Sequence, residues 1–453
     1  MILTLDLFYE KVAAAVQECS FPVTILTARM QDELDFFRGT VFSLTKGKAF
    51  RRYPDTPEGM LWTQFLRKGQ PSVKLPEPVY DPSATAAILY SGGTSSTPKG
   101  ICLSDRNFNA TALQATEAIL QPLGPGDTML SCMPVFHGFG LGINIHTILI
   151  NGAECILMPT FSGKSYAEIL KKKKPNYIAG VPTIFEALLH IKELNNADLS
   201  CLKGMFCGGD ALSVELKKKV DAFLKAHNAS IQVREGYGLT ECVTASCLTP
   251  RDTYREHSIG LPFPDTEYCI VRPGTDEELP AGEEGEIILK GPSVMLGYLK
   301  NPKETAKALR KLEDGDIWLF TGDLGHMDED GYIYFHQRIK RMIITNGYNV
   351  YPGQIENIID SCEEVAYSCV IGVKDPHRMQ SVRAYVVLKP GYEGDEQMKE
   401  RIRSVLFMHV SAYAMPREIV FRAELPKTLV GKVAYRKLEE EANAETDSSA
   451  GSV

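Results

Sequence analysis

Leu89–Gly100 reads LYSGGTSSTPKG. Three glycines, a proline, a lysine and five small hydroxyl side chains between Ser91 and Thr97 crowd this stretch. Neither a helical nor a strand period runs through it, so it is a loop. Glycines let backbone N–H groups approach a phosphate closely, and hydroxyls add donors. Ser91, Gly92, Gly93, Thr94, Ser95 and Ser96 offer such donors, and Lys99 adds a point charge. Taken alone, the same composition also suits a flexible linker.

The rest of the chain narrows the choice. It has 453 residues, 44% apolar and 23% charged, an ordinary globular composition of two or three domains. A formal net charge of −8 argues against nucleic acid as a main partner. No apolar run is long enough for a membrane span. The start, MILTLDLFYEKVAAAV, lacks the pattern of a secretory signal. The 11 cysteines are scattered without a CxxC pair and the 9 histidines show no zinc spacing, as in a reduced, cytoplasmic protein.

Strand-like and helix-like runs alternate. Glu154–Pro159 reads as a buried strand, Gly285–Gly291 as a strand, and Ser213–His227 as a helix with Leu216, Val220, Phe223 and Leu224 on one face. IWLFTGDLGHMDEDGYIYFH reads as two strands joined at Asp330-Gly331, with Asp323 ending the first in an exposed turn. From about Lys340 short elements restart as a small α+β unit, and the tail ANAETDSSAGSV reads as disordered. FSGKS and HGFGLG imitate a P-loop and a dinucleotide fingerprint, but neither has the required glycine spacing.

Further motifs keep company with the loop. REGYGLTEC offers an aromatic ring for a base, a hydroxyl and a carboxylate fit for Mg²⁺. TGDLG offers an acceptor for ribose hydroxyls, HQRIK the cations Arg338 and Lys340, and LVGK a lysine in a glycine-bearing loop. In this order, with PVFHGFGL, GVPTIFEALL, CGGDAL and GEIILKGPSVMLGYLKNP, they resemble the adenylate-forming superfamily of acyl-CoA synthetases, peptide-synthetase adenylation domains and beetle luciferases. The resemblance runs from about Asp81 to Leu438.

The resemblance implies an α/β fold. A large N-terminal domain of mixed sheets and helices would span 1–339, its front subdomain incomplete. A small mobile C-terminal α+β domain would span 340–441, and 442–453 would be the disordered tail. It implies ATP, Mg²⁺ and coenzyme A, with a carboxylic acid activated as its adenylate and passed to the CoA thiol. Ser91–Ser96 and Lys99 would hold the β- and γ-phosphates. Tyr237 would lie on adenine, with Gly208, Gly209, Asp210 and Gly238 beside the nucleotide. Asp323 and Arg338 would hold the ribose. Thr240 would contact the α-phosphate, Glu241 the metal, and Lys432 the attacking carboxylate. Lys340 would be the hinge, Gly347 and Tyr348 would face the CoA tunnel, and His137, Val181 and Cys207 would border the acyl pocket.

Three departures from the family pattern stand out. Ser96 occupies a usual glycine position, Gln337 another before Arg338, and little chain precedes the phosphate loop. The last implies a misplaced start or a truncated relative, and the expectation that this chain alone folds poorly or lacks activity. Small residues near the pocket, Gly138, Gly140, Gly142, Ala245 and Ser246, either make room for a medium or long acyl chain or only permit close packing. An aryl acid, a carrier-protein acceptor and a non-catalytic adenylate-binding relative are the alternatives. A lipid substrate would allow peripheral membrane contact. The oligomeric state is left open.

Overall fold

The computed structural model describes residues 1–45, 59–69, 80–90, 98–375, 378–427 and 433–450. The chain divides into two compact units, 1–80 and 81–453, a boundary inside the single large domain drawn from sequence. The first unit holds three parallel strands, with Ile25–Ala28 between Ile2–Leu5 and Gly59–Leu61. Helix Tyr9–Gln17 makes the crossover between the first two, and Tyr9, Ile25 and Leu26 are buried.

The second unit is built on a seven-stranded sheet. Its order is Leu261–Pro262, Cys247–Leu248, Val233–Tyr237, Gly204–Cys207, Tyr177–Gly180, Thr128–Ser131, Glu154–Leu157. The last five run parallel and the first two antiparallel. Tyr177–Gly180 is buried throughout, as expected of a parallel strand covered on both faces. Helices Gly163–Lys173, Pro182–Leu189 and Val214–Ala226 build one core with it, through Tyr166, Leu170, Phe185, Leu188, Val220 and Leu224. Helix Asp105–Ile119 contributes Ala115 and Ile119 to another. Ser104 and Asn107 cap that helix reciprocally, and Asn107 Nδ2 also donates to the carbonyls of Pro292 and Val294.

The helix after Ser213 forms as the sequence suggests, with Ser213 as N-cap, whereas the strand at Glu154 is not buried: it closes one edge of its sheet, with Glu154 and Leu157 exposed. Val220 and Leu224 are fully buried, while Leu216 and Phe223 pack at the edge. A second, antiparallel sheet contains Glu267–Val271, Gly285–Lys290, Ile317–Met327, Leu309–Lys311 and Ile333–Arg338. Here the expectation for Asp323 fails. It is not in an exposed turn but in the middle of Ile317–Met327, 1% exposed. Glu286 opposes Leu324 while Ile288 opposes Phe320, so Thr321–Asp323 bulge opposite Ile287. Gly322 takes φ +71° there and donates to the Glu286 carboxylate. The bulge lets the strand continue where the composition suggested a turn.

Beyond Ile343 lies another sheet, Tyr348–Val350, Ile343–Thr345, Met379–Leu388 and Val365–Asp375, with Glu418–Phe421 paired to Met379–Leu388. Among the described residues, no hydrophobic cluster has members on both sides of residues 336–342. The tail reading is corrected as well, because helix Tyr435–Ala450 continues through it. Tyr435, Leu438 and Ala442, at helical spacing, enter a core with Cys369, Ile371 and Tyr385. Asn443 accepts from the Lys374 N–H and Glu445 pairs with Arg383, so a polar composition hid an anchored helix.

Arg234, 8% exposed, joins these layers by donating to the carbonyls of Ala118, Ile119 and Thr249. Replacing it with leucine strands the last carbonyls of helix Asp105–Ile119. We expect Arg234→Leu to lower stability by roughly 3 kcal/mol, read as an earlier first transition in urea.

Candidate active site

In an open parallel sheet, ligands bind beyond the carboxyl ends of the strands. Several of the residues singled out in the sequence gather there. Tyr177–Gly180 leads into Val181, Gly204–Cys207 into Gly208, Gly209 and Asp210, and Val233–Tyr237 into Gly238. Gly209 turns with φ +80°, which favours glycine. Asp210 is exposed and accepts from the Ala211 N–H. Cys207 is 1% exposed, and burial pushes its thiol well up, so it is an inert floor residue.

Asp323 brings three elements together. Its Oδ2 accepts from the Tyr237 hydroxyl at 2.6 Å, and its Oδ1 lies 3.1 Å from Nε of Arg338. Arg338 is its cross-strand neighbour, and the carboxylate holds the guanidinium charged. Phe335 lies against the Tyr237 ring, with centroids 5.8 Å apart. Burial, and after it the Asp323 charge, raises the Tyr237 phenol well above its ordinary value.

A second chain of contacts reaches the end of the phosphate loop. Glu241 Oε1 accepts from the Tyr298 hydroxyl at 2.8 Å. Lys99 Nζ lies 4.7 Å from the centre of that ring and 2.5 Å from Glu304 Oε2. Lys307 and Lys99 hold the Glu304 carboxyl down at about 2. Tyr298 and Glu304 were not singled out, although Tyr298 stands inside the quoted GPSVMLGYLKNP. Ser91, Gly92, Gly93, Thr94, Ser95 and Ser96 lie outside the described residues, as does Lys432.

Thr240 opens a short turn, Thr240–Cys242, followed by Val243 at φ 65° and ψ −58°. The Thr244 N–H donates back to the Cys242 carbonyl at 2.8 Å, closing a γ-turn that a β-branched residue adopts only under strain. Gly138 opposes it: a Cβ there would sit 1.8 Å from the Val243 carbonyl oxygen. Gly140 and Gly142 are equally tight against Pro134 and Val243. These glycines permit close packing of the π-helix Phe139–Thr147, and they do not line the cavity. Ser246 is likewise buried against the Tyr268 hydroxyl.

A cavity of about 2640 Å³ joins these groups. Thr240, Glu241, Gly208, Gly209, Asp210, Tyr237, Gly238, Asp323 and Arg338 all line it, with His137 and Cys207. Val181 does not line it but packs against Gly209. Its apolar end is walled by Ala115, Ile119, Met129, Ile143, Tyr177 and Phe206. Several of these come from the helix after the phosphate loop, whose amphipathic pattern reads only as core. Lys427, Val433 and Tyr435, which flank Lys432, face the cavity, whereas Gly347 and Tyr348 do not. Tyr348 stacks on Tyr413 instead. Lys340 is exposed between two anchored arginines: Arg338 holds Asp323, and Arg341 holds Glu356 at 2.5 Å. Gln337, just before Arg338, is buried, and its amide has no partner among the described residues.

Glu235, at the cavity edge, accepts from the Leu212 N–H at 2.9 Å. Burial pushes its carboxyl up to about 7, opposed by the Leu212 bond and reinforced by Asp210.

Comparison with known proteins agrees with this arrangement. Residues 12–299 match the AMP-binding enzyme family and 354–432 the AMP-binding enzyme C-terminal domain. The chain is 37% identical to a long-chain-fatty-acid–CoA ligase of Bacillus subtilis strain 168, over 97% of this chain and 77% of that protein. It is 32% identical to the enzyme of that name from Salmonella typhimurium, over 99% and 78%. Among solved structures, ATP-bound MatB from Rhodopseudomonas palustris superposes with a TM-score of 0.78 at 25% identity, covering 96% of this chain and 82% of that one. An anthranilate CoA ligase, AuaEII, shares the fold at 23% identity and TM-score 0.77, over 97% and 81%.

The raised Glu235 carboxyl has a signed consequence. Its contribution to stability is complete below the ordinary glutamate range and is lost as pH rises towards about 7. Glu235→Gln keeps an acceptor for Leu212 without the charge. Its melting temperature should exceed the parent's at pH 8 and match it near pH 4.5, by differential scanning fluorimetry.

Proposed function

The chain belongs to the family of AMP-binding enzymes, and from that premise we propose that this AMP-forming acid–thiol ligase converts a medium- or long-chain fatty acid, ATP and CoA into acyl-CoA, AMP and pyrophosphate. The observation that carries the acid's identity is the apolar end of the cavity, where Ala115, Ile119, Met129, Ile143, Tyr177 and Phe206 suit an alkyl chain. Relatives at 32–37% identity named for long-chain fatty acids support the same reading.

The roles follow from charge. A carboxylate must approach the α-phosphorus of an anionic triphosphate, and the two repel. Lys432, Lys99 and the donors of Ser91–Ser96 would offset that charge where it develops. Lys99 is held by Glu304 and Tyr298, ready to exchange those partners for phosphate oxygens. Tyr237 and Phe335 would present an aromatic wall to adenine, with Gly208, Gly209, Asp210 and Gly238 alongside. Asp323 and Arg338 would hold the ribose hydroxyls, and Thr240 the α-phosphate. Mg²⁺ fits Glu241, since this ion takes one or two protein carboxylates and completes its shell with phosphates and water. Bound there it would supply further neutralisation. Among the described residues no group of three acidic, cysteine or histidine ligands competes for it.

Acyl-adenylate formation would be followed by attack of the CoA sulfur on the acyl carbonyl, with AMP leaving. Gly347 and Tyr348 lie away from the cavity, so their tunnel role requires rotation of the small domain. The anchored arginines leave Ile339 and Lys340 as the segment to absorb it. His137, Val181 and Cys207 would shape the inner border of the acyl site, His137 Nδ1 accepting from the Phe139 N–H.

Pyrophosphate release with ATP and Mg²⁺ is the test, across octanoate, palmitate and benzoate, with and without CoA. Palmitate or octanoate should drive release, CoA should raise it, and Lys432→Ala should lower it by roughly 100-fold or more. Release driven by benzoate alone would replace the fatty acid with an aryl acid. Release driven by none of the acids would overturn the reading.

A further inference from the structure

Two histidines unused in the chemistry face each other at the joint of the domains. His326 Nδ1 and His336 Nε2 are 3.1 Å apart. His326 lies on strand Ile317–Met327 and stacks on Tyr334, its cross-strand neighbour, at 4.4 Å and 1°. His336 is the extra residue of a bulge, since Leu324 opposes Gln337 while Gly325 opposes Phe335. Such a bulge re-aims a side chain. His336 Nδ1 contacts the Glu284 carboxylate. The small domain closes the cluster: Tyr351 hydrogen-bonds to Glu284, and a Cβ on Gly353 would meet the His336 carbonyl oxygen at 3.1 Å. His326, His336 and Tyr334 line the cavity where the domains meet.

Hydrogen-bond counting limits the charge this cluster can hold. One nitrogen of the facing pair must donate and the other accept. With Glu284 ionised, His336 carries a proton on Nδ1. The cluster is satisfied with both rings neutral, or with one shared imidazolium. A second added proton sets two N–H groups against each other and breaks the contact. Burial, and after it His336, holds the His326 imidazole below its ordinary value, with Asp328 and Glu284 opposing. Burial alone would raise Glu284, but His336, Tyr351 and the imidazole charges leave it lowered. Asp328, bonded to the Tyr334 hydroxyl and paired with Arg255, supplies the remaining charge on this face.

We propose that Glu284, His326, His336 and Tyr351 form a proton-operated latch that holds the small domain in the present orientation, with Lys427 and Val433 facing the cavity, while at most one imidazole is charged. These are positioning residues, and the inference rests on the reading that the domain rotates. The sign is set by His326. A lowered value means the present orientation favours the neutral ring. The latch is therefore intact above the ordinary histidine pKa of about 6.5 and weakens as pH falls through it. Releasing Tyr351 and Gly353 uncovers the cluster and lets the His326 ring charge in water.

Energy transfer between dyes on non-natural residues at Asp252 and Glu396, exposed sites on the two domains, reads the orientation without turnover. In the intact chain, the ratio of the two orientations should change about five-fold or more between pH 7.5 and pH 5.5, the range across which an ordinary imidazole goes from mostly neutral to mostly charged. His326→Gln, which keeps a hydrogen-bonding group but does not titrate, should flatten the response. Tyr351→Phe should uncouple orientation from pH while His326 still titrates by NMR. If His326→Gln does not fold, His336→Gln carries the same expectation. A pH-independent parent, or a variant with the parent's full transition, overturns the latch. Absence of acid-dependent pyrophosphate release at pH 8 alongside a normal orientation change would instead overturn the proposed function and leave the latch standing.

Discussion

The carboxylate of Asp323 is the contact on which the candidate site depends. It is buried, yet it is met by a phenol from the seven-stranded sheet and a guanidinium from the strand that leads to the small domain. A buried carboxylate without such partners would cost several kcal/mol. Tyr237 and Arg338 are therefore fixed in place by the requirement to satisfy it. That single group sets the distance between the two sheets at the cavity and the starting point of the hinge. The bulge at Thr321–Asp323 makes this possible, because it turns the carboxylate inward without ending the strand.

Much of this was legible in the sequence, for identifiable reasons. Helix Val214–Ala226 follows apolar periodicity, which tertiary packing did not override, whereas the apolar run at Glu154–Leu157 reads as buried and instead takes an edge of its sheet. The ordered motifs gather at the ends of parallel strands because the topology puts strand ends side by side. What was misread depends on long-range partners. Asp323 reads as a turn residue because TGD is turn chemistry, and only the Glu286–Gly322 bond and the skipped register show otherwise. The tail reads as disordered because Leu438 and Ala442 are too sparse to signal a core until Cys369 and Tyr385 supply the other half. Val181 is prominent in its motif, but it supports Gly209 from behind. The apolar lining from helix Asp105–Ile119 carries no signal separate from ordinary core.

The strained turn at Val243 shows how close approach and chemistry are linked. A γ-turn at a β-branched residue is unfavourable and persists only if its surroundings demand it. Gly138, Gly140 and Gly142 allow the π-helix to pack against that turn with no room for a side chain. Thr240 and Glu241 sit one turn earlier, so their backbone cannot relax independently of the helix that carries His137 towards the cavity. Of the two readings open for these glycines, room for an acyl chain or close packing, the structure supports close packing.

The same logic separates what is rigid from what can turn. No core cluster of described residues spans 336–342, so hydrophobic burial does not oppose rotation there. Arg338 and Arg341 end the flexible stretch on either side, one bound to Asp323 and the other to Glu356. Orientation is then decided by polar contacts across the joint. Such contacts are individually small, sensitive to proton balance, and replaceable by water. A joint held in this way can favour one orientation and still release it within a catalytic cycle, which a shared apolar core would prevent. Gln337 is buried beside this joint with no amide partner among the described residues, so its burial costs free energy and adds no tie there.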